Sequence, residues 1–459
     1  MINEAREDPL AMATSLGIDT EKILQDFPEL RTVMEDGLPP LRFNEKLYEA
    51  AQEHTGDMMD NNYYAHDSSD GRTYDDRMRE SGYEPVVSGE SLDMLGFANF
   101  IDPDEAVRLI FEKMFIDELS DREERNILNP EFRDAGISIM AGPFTLDGLH
   151  LNVYLVTSDF AGTEAYLIES ELLELINQAR EYPAAMAESL GMDTEKIFQD
   201  LPELHEILKE GGLPPLTFNR RLYAAGTVYI QEIVDMLEVD GGKEPPPGSP
   251  WHPPQWSDYV SYNDPFYDDR IQEQGYTPLK TGEIAISLKY ESSSEPEQIA
   301  RVIFEAILRN ELNSKEEERN ILNPLFNELG INYNRVICVK GEEEIATYHL
   351  LVCDFGASSN ERDPSLTGGV YTDSNQDGLY NPGEGISGIA VSIEGADTAF
   401  TMVTNVAGYF TGRVEPGEYN VSVYMPNEEV RVRTVELGEE NKAVWFRIEI
   451  EEGKEKLDM

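Results

Sequence analysis

This sequence nearly repeats itself. GLPPLRFNEKLYEAA at residues 37–51 returns as GLPPLTFNRRLYAA at 212–225. Around each copy the same strings recur in the same order. TEKILQDFPEL (20–30) returns as TEKIFQDLPEL (194–204), and GYEPVVSGE (82–90) as GYTPLKTGE (275–283). RNILNPEFRDAGI (125–137) returns as RNILNPLFNELGI (319–331), and SDF (158–160) as CDF (353–355). Matches this long at so wide an offset mean two copies of one domain, not a short-period solenoid. A chain of 459 residues also exceeds what one hydrophobic core organises.

Composition narrows the function classes. Apolar residues make up 40% of the chain, enough for packed cores. The formal net charge of −54 repels nucleic acid and anionic membranes, and is relieved by bound cations or salt. A nucleic-acid partner is therefore excluded. No apolar run reaches the roughly 18 residues that a membrane-spanning helix needs. The second copy opens with YLIESELLELINQAR (166–180), an amphipathic helix with Leu172, Leu175, Ile176 and Ala179 on one face. The first copy begins partway along the equivalent helix, and no signal peptide opens the chain. The expectation is a chain that starts after a removed leader, its first helix cut short.

Copy one is expected over residues 1–162. A helix enters at Asp19-Thr20 and runs over 18–34. A second follows at 43–60, with Leu47, Ala50, Ala51, His54 and Met58 at helical spacing, so that His54 reads as a packed core residue. A polar loop carries His66, and SGE, also read as polar loop, ends at Glu90. Another helix covers 105–115, and strands at 136–140 and 151–160 close the unit. Copy two is expected over 163–357. It gains a proline-rich insertion at 240–258, with Trp251 and Trp256 interleaved, which reads as an extended loop, structural or lid-like. Cys338 and Cys353 flank the hairpin turn at 340–344. A register centred on that turn sets Cys338 opposite Thr347, so no disulfide is expected. A polar linker at 356–369 leads to seven or so short alternating segments over 366–455, expected as an all-β sandwich.

The sharpest chemical motif is DSNQDGLYNPGE (373–384). Asp373, Asn375 and Asp377 stand at positions 1, 3 and 5 of a twelve-residue calcium loop, with Gly378 at 6. The Leu379 carbonyl, Asn381 and Glu384 stand at 7, 9 and 12. Calcium takes six to eight hard oxygen ligands, and alternate residues of a tight loop deliver them to one side. No helices flank the loop, so the expected ion rigidifies a connection between strands. VYTDSNQDGLYNPGEGISGIAVSIEG (370–395), with TNVAGYF and PGEYNVSV, resembles the calcium-binding B-type repeat domains of bacterial surface adhesins. That resemblance implies an extracellular, Ig-like or prealbumin-like stalk module.

The repeats carry a second resemblance. LPPLRFNEKLYEAAQEHTGDM, YYAHDSSDG, GYEPVVSGE and RNILNPEFRDAGI are similar to the bacterial branch of the CAP superfamily (cysteine-rich secretory proteins, antigen 5, pathogenesis-related 1). The resemblance implies an α+β fold, with two α-β-α sandwich domains ahead of the β-sandwich, and an extracellular location. It also implies a cavity of two histidines and two glutamates able to hold a divalent metal. Carried over, the first histidine falls on His66, and the glutamate of the family's G-E-N string on Glu90, with Ser91 in place of the asparagine. The second histidine falls on Glu123 within REERNIL, and the other glutamate on Glu112. In copy two Tyr259 takes the histidine's place, Glu283 persists and Glu317 replaces the second histidine. A tyrosine with carboxylates suits zinc poorly.

Neither copy carries a nucleophile elbow or a phosphate loop. The reading from sequence is a secreted or surface-displayed, non-catalytic binding or adhesive protein. Its CAP-type domains would take a peptide, glycan or lipid, with two linked sites raising avidity. The alternatives are a metal-assisted hydrolase working from His66, Glu90 and Glu123, and a purely structural spacer.

Overall fold

The computed structural model describes the chain except residues 98–100, 121–124, 147, 201–211, 240–258, 263, 290–293, 315–318, 341–342, 359–361, 426–428 and 449–459. It describes residues 198–200, 236–239, 259–262, 338–340 and 343–346 by backbone alone. The expected insertion at 240–258, with Trp251 and Trp256, lies outside the described residues. The chain divides into two compact units, Met1–Tyr166 and Leu167–Met459.

The first unit opens with short helices α1 (Ile2–Glu7), α2 (Pro9–Ser15), α3 (Thr20–Asp26) and α4 (Arg31–Asp36). Asp19 caps α3 by accepting from the Lys22 N–H, as its position suggested. The single helix expected over 18–34 is broken, because Pro28 cannot continue it and starts a short 3-10 turn at Pro28–Leu30. Strand β1 (Arg42–Phe43) leads through the N-cap Asn44 into α5 (Glu45–Asn61), whose inner face buries Leu47, Ala50, Ala51, His54 and Met58. Then come α6 (Tyr74–Glu80), β2 (Val87–Phe97), α7 (Pro103–Glu118), β3 (Asp134–Leu146) and β4 (Leu149–Gly162). The sheet order is β1-β3-β4-β2, with β3, β4 and β2 antiparallel. Helix α5 lies directly on β3 at Gly136, where a Cβ would sit 2.0 Å from the Tyr48 nitrogen.

The second unit repeats this order. It contains α8 (Glu164–Glu181, which begins in the first unit), α9 (Pro183–Ser189), α10 (Thr194–Asp200), β5 (Thr217–Phe218), α11 (Arg220–Val239), β6 (Tyr259–Tyr262) and α12 (Tyr267–Glu273). Then follow β7 (Pro278–Lys289), α13 (Pro296–Glu311), β8 (Glu328–Lys340) and β9 (Glu343–Ser358), in the sheet order β5-β8-β9-β7-β6. Gly330 repeats the close approach of Gly136, its Cβ position 2.2 Å from the Tyr223 nitrogen. Cys338 pairs with Ala346, not with the expected Thr347, because 338 and 346 are the residues equidistant from 342, the centre of the turn at 340–344. Cys353 pairs with Ile331 and is a buried free thiol.

The remaining strands are β10 (Ser365–Thr372), β11 (Ala390–Glu394), β12 (Ala399–Val403), β13 (Tyr409–Arg413), β14 (Gly417–Tyr424), β15 (Val430–Leu437), β16 (Lys442–Ala443) and β17 (Phe446–Ile448). One sheet runs β13-β10-β16 with β17 also on β10, and the other β12-β11-β14-β15. Leu366, Val370 and Phe410 from the first meet Val391, Val421 and Val423 from the second in one core.

Each repeated half is tied together by a buried arginine. Arg6 of α1 donates to the carbonyls of Pro39 (2.8 Å), Ile127 (2.6 Å), Asn129 (3.0 Å) and Phe132 (3.1 Å). Arg180 of α8 donates to Pro214 (2.6 Å), Ile321 (2.6 Å), Asn323 (3.0 Å) and Phe326 (3.0 Å), the equivalent positions. Both are fully buried. Three residues earlier, Asn3 and Asn177 each bond both ways to the backbone, at Leu41 and Leu216. Arg6→Met leaves four carbonyls without their donor and is expected to cost the first unit about 3–5 kcal/mol. Urea unfolding of the full chain checks this. An unmoved first-unit transition would contradict it.

Candidate functional site

The site expected around His66 and Glu90 forms where α5, α6 and the sheet meet. Glu90 is not in a solvated loop. It sits on β2, paired across the ladder with Asp159 of β4, and it is buried. One carboxylate oxygen accepts from His66 Nδ1 at 2.8 Å, and the other from the fully buried Arg77 of α6. Arg77 is held in turn by the His66 carbonyl and the Ser68 hydroxyl, both at 3.0 Å. His66 is half exposed, its side chain at 43%, so it is the cluster's contact with solvent.

Two further residues complete the cluster. His54 is buried on α5 as expected, but its Nε2 also lies 3.9 Å from Glu90 and 3.0 Å from the Ala65 carbonyl. Burial pushes its pKa down, against the opposing pull of Glu90. Asp159 is fully buried, and no N–H or O–H donor reaches either of its oxygens. Burial, and then the Glu90 charge, push its pKa well up, which favours a proton shared between the two carboxyls.

The other expected members do not join. Glu112 pairs with Arg108 on its own helix. Glu123 and Glu317 lie outside the described residues. The glutamate that α7 turns inward is Glu118, which accepts from the N–H groups of Ile127 and Leu128 and so fixes the RNIL segment. Glu311 does the same for Asn320 and Leu322. Arg77, Asp159 and Glu118 were missed, yet all three return in the repeat as Arg270, Asp354 and Glu311.

In the second unit Glu283 pairs with Asp354 across β7 and β9. Arg270 of α12 binds Glu283, Asp354 and Asp264, and stacks 4.5 Å from the Tyr229 ring centre. Burial raises Glu283 to about 7 and pushes Asp354 well up. Tyr259 stands on the edge strand β6, opposite Leu288.

The acidic loop lies between β10 and β11. Gln376 (φ 61°) and Gly378 (φ 79°) turn it sharply. Asp373 accepts from the Gly378 N–H (3.0 Å), Asn375 from Asp377 (3.0 Å), and Asp377 from Leu379 (2.8 Å). Glu384 closes the loop by accepting from Ser374 (2.8 Å) and Asn381 (3.0 Å). Asp373 Oδ1 is buried with no hydrogen-bond partner. Among the described residues, no three His, Cys, Asp or Glu side chains are gathered so as to hold a metal ion.

Residues 1–156 match the family described as CAP: cysteine-rich secretory protein family. The first unit carries a CAP domain. Among solved structures, the chain is similar to an extracellular protein containing an SCP domain from Bacillus anthracis. The two are 23% identical, with a TM-score of 0.20 over 31% of this chain and 40% of that one. It is also similar to an outer surface protein from Borrelia burgdorferi, at 17% identity and a TM-score of 0.20, over 32% of this chain and 96% of that one. This chain thus spans less than half the length of the Bacillus protein. No curated protein matches.

Within the CAP domain, Arg77 is what makes a buried Glu90 tolerable. Arg77→Met leaves the carboxylate without its cation and is expected to destabilise the domain by about 3–5 kcal/mol. Adding Glu90→Met should restore most of the loss. Equal instability of single and double variants in urea would contradict the pairing.

Proposed function

We propose that this chain is an extracellular binding protein, with two CAP-type domains and a calcium-rigidified B-type β module, acting without catalysis. The observation that carries the reading is the buried arginine at the heart of each cluster. Arg77 occupies one oxygen of Glu90, and Arg270 bridges Glu283, Asp354 and Asp264. A guanidinium in that place offsets one carboxylate charge and repels a divalent cation. The His66–Glu90 pair is also what a metal-assisted hydrolase would use, but with Arg77 beside it binding is the better-supported role. Among the described residues no helix is long and apolar enough to cross a membrane. An extracellular setting agrees with the CAP match. The ligand class is a peptide, glycan or lipid, and two linked sites would bind with avidity.

The loop at 373–384 suits calcium by its donors. It offers carboxylate, amide and carbonyl oxygens, and Asp373 Oδ1 has no protein donor to satisfy it. Asp373, Asn375, Asp377, Leu379, Asn381 and Glu384 would hold the ion, and its chemistry there is structural.

Calorimetric titration of the full chain with calcium is expected to show one site, lost in Asp373→Asn. Saturation at about a hundredfold over Kd should add roughly 2.7 kcal/mol to the folded β module. Absence of binding heat, or binding unchanged in Asp373→Asn, would overturn the calcium assignment. For the CAP domains, peptide and ester libraries should show no turnover with zinc added. Turnover abolished by His66→Ala would overturn the non-catalytic reading.

A further inference from the structure

Helix α8 has no solvent face. Its apolar side, with Leu172, Leu175 and Ile176, is buried, and so are Glu171, Glu174 and Gln178 on the other side. The loop between β10 and β11 and the segment between β16 and β17 cover that polar side. Gln178 accepts from the Tyr380 N–H (2.7 Å). Glu171 accepts from the Gly383 N–H (3.0 Å) and the Tyr380 hydroxyl, and Glu181 from the Trp445 indole. Glu174 differs from all of these. It is 0% exposed, and neither carboxylate oxygen has a hydrogen-bond partner. It faces β10 at Gly369, where a Cβ would lie 2.9 Å from its Oε2 and 2.9 Å from the Trp445 ring.

The titratable groups around it are anionic or neutral. Glu171 and Glu181 share its helix, Tyr371 and Tyr409 stand on β10 and β13, Tyr380 and Glu384 lie in the loop, and Glu297 on α13 acts on Glu171. The charge acting on Glu174 itself is Glu171, of the same sign, whereas Arg433 and Lys442 act on Glu181. An ionised carboxylate buried without donor or cation is too costly to keep. With the strands docked, Glu174 is therefore neutral. With the helix face open to water it would ionise as an ordinary glutamate, near 4.3.

We propose that Glu174 makes the joint between α8 and the C-terminal strands a pH-operated clasp, closed while its carboxyl is protonated and loosened as it ionises. At neutral pH, docking takes up a proton. The joint is at full strength below the open-state value. It weakens by up to tenfold per pH unit as pH rises toward and through the docked-state value, which burial drives well upward. The clasp does not depend on the CAP role, while Tyr380 and Gly383 lie among the residues assigned to calcium, so the ion's effect on the joint is measured separately.

Hydrogen exchange on the full chain at pH 6 and pH 9, corrected for intrinsic rates, tests it, with α5 amides as internal control. Measurements in chelator and in calcium separate the clasp from the ion. Burial also raises Glu171 in this joint to about 7, so protection of α8 and β10 is expected to fall at pH 9 in every variant, and about tenfold further in the wild type than in Glu174→Gln. Glu174→Met, neutral and of similar length, should behave alike and serves if the glutamine variant folds poorly. Unchanged wild-type protection across this range would overturn the clasp. So would an equal fall in the neutral variants.

Discussion

A buried guanidinium bonded to four backbone carbonyls holds each repeated half together. Arg6 and Arg180 reach from the first helix of their copies to the Pro-Pro turn and the RNIL segment, which are far apart in sequence. Carbonyls in such irregular segments have no ladder partner, and leaving them buried and unpaired would be costly. The arginine's fixed fork of donors meets several at once. The glutamates Glu118 and Glu311 complete the arrangement by accepting the N–H groups of the same segment. The loops that carry site residues are thereby fixed without long regular structure.

The same economy governs the clusters around Glu90 and Glu283. Each sits on the strand beside an aspartate of the neighbouring strand, with an arginine of the short helix that precedes that strand against it. Around Glu90, two carboxyls and one guanidinium reach neutrality if the carboxyls keep one proton; around Glu283, where Arg270 meets three carboxyls, neutrality takes two. In the CAP domain His66 opens the cluster to solvent. In the second unit Arg270 is bonded to three carboxylates and closes its cluster more tightly. In both, the guanidinium takes up carboxylate oxygens of the strand glutamate.

Much of this was legible in the sequence, because the repeat marks its own essential strings. The helix at 43–60, the cap at Asp19 and the alternating strands after 365 follow from periodicity and capping residues. The misses have physical causes. Glu90 read as a loop residue because Ser88 and Gly89 resemble a turn. In the fold Gly89 is a strand residue kept small by the Asn126 side chain, which a Cβ would approach to 2.3 Å. Arg77 and Asp159 look like surface charges until their partners are known, and those partners are distant in sequence. The polar side of α8 reads as a solvated face, and only the segments some two hundred residues later bury it.

Each cluster depends on one arginine and on a proton held among its buried carboxyls. Carbon-13 NMR of the Asp159 and Asp354 carboxyls at pH 7, assigned with the Asp159→Asn and Asp354→Asn variants, tests that claim directly. Both carbons should show the shift of a protonated acid, since burial and the adjacent glutamate raise both groups. Clusters with no protonated carboxyl at that pH would carry surplus negative charge. They would contradict the account and favour an open, cation-seeking site.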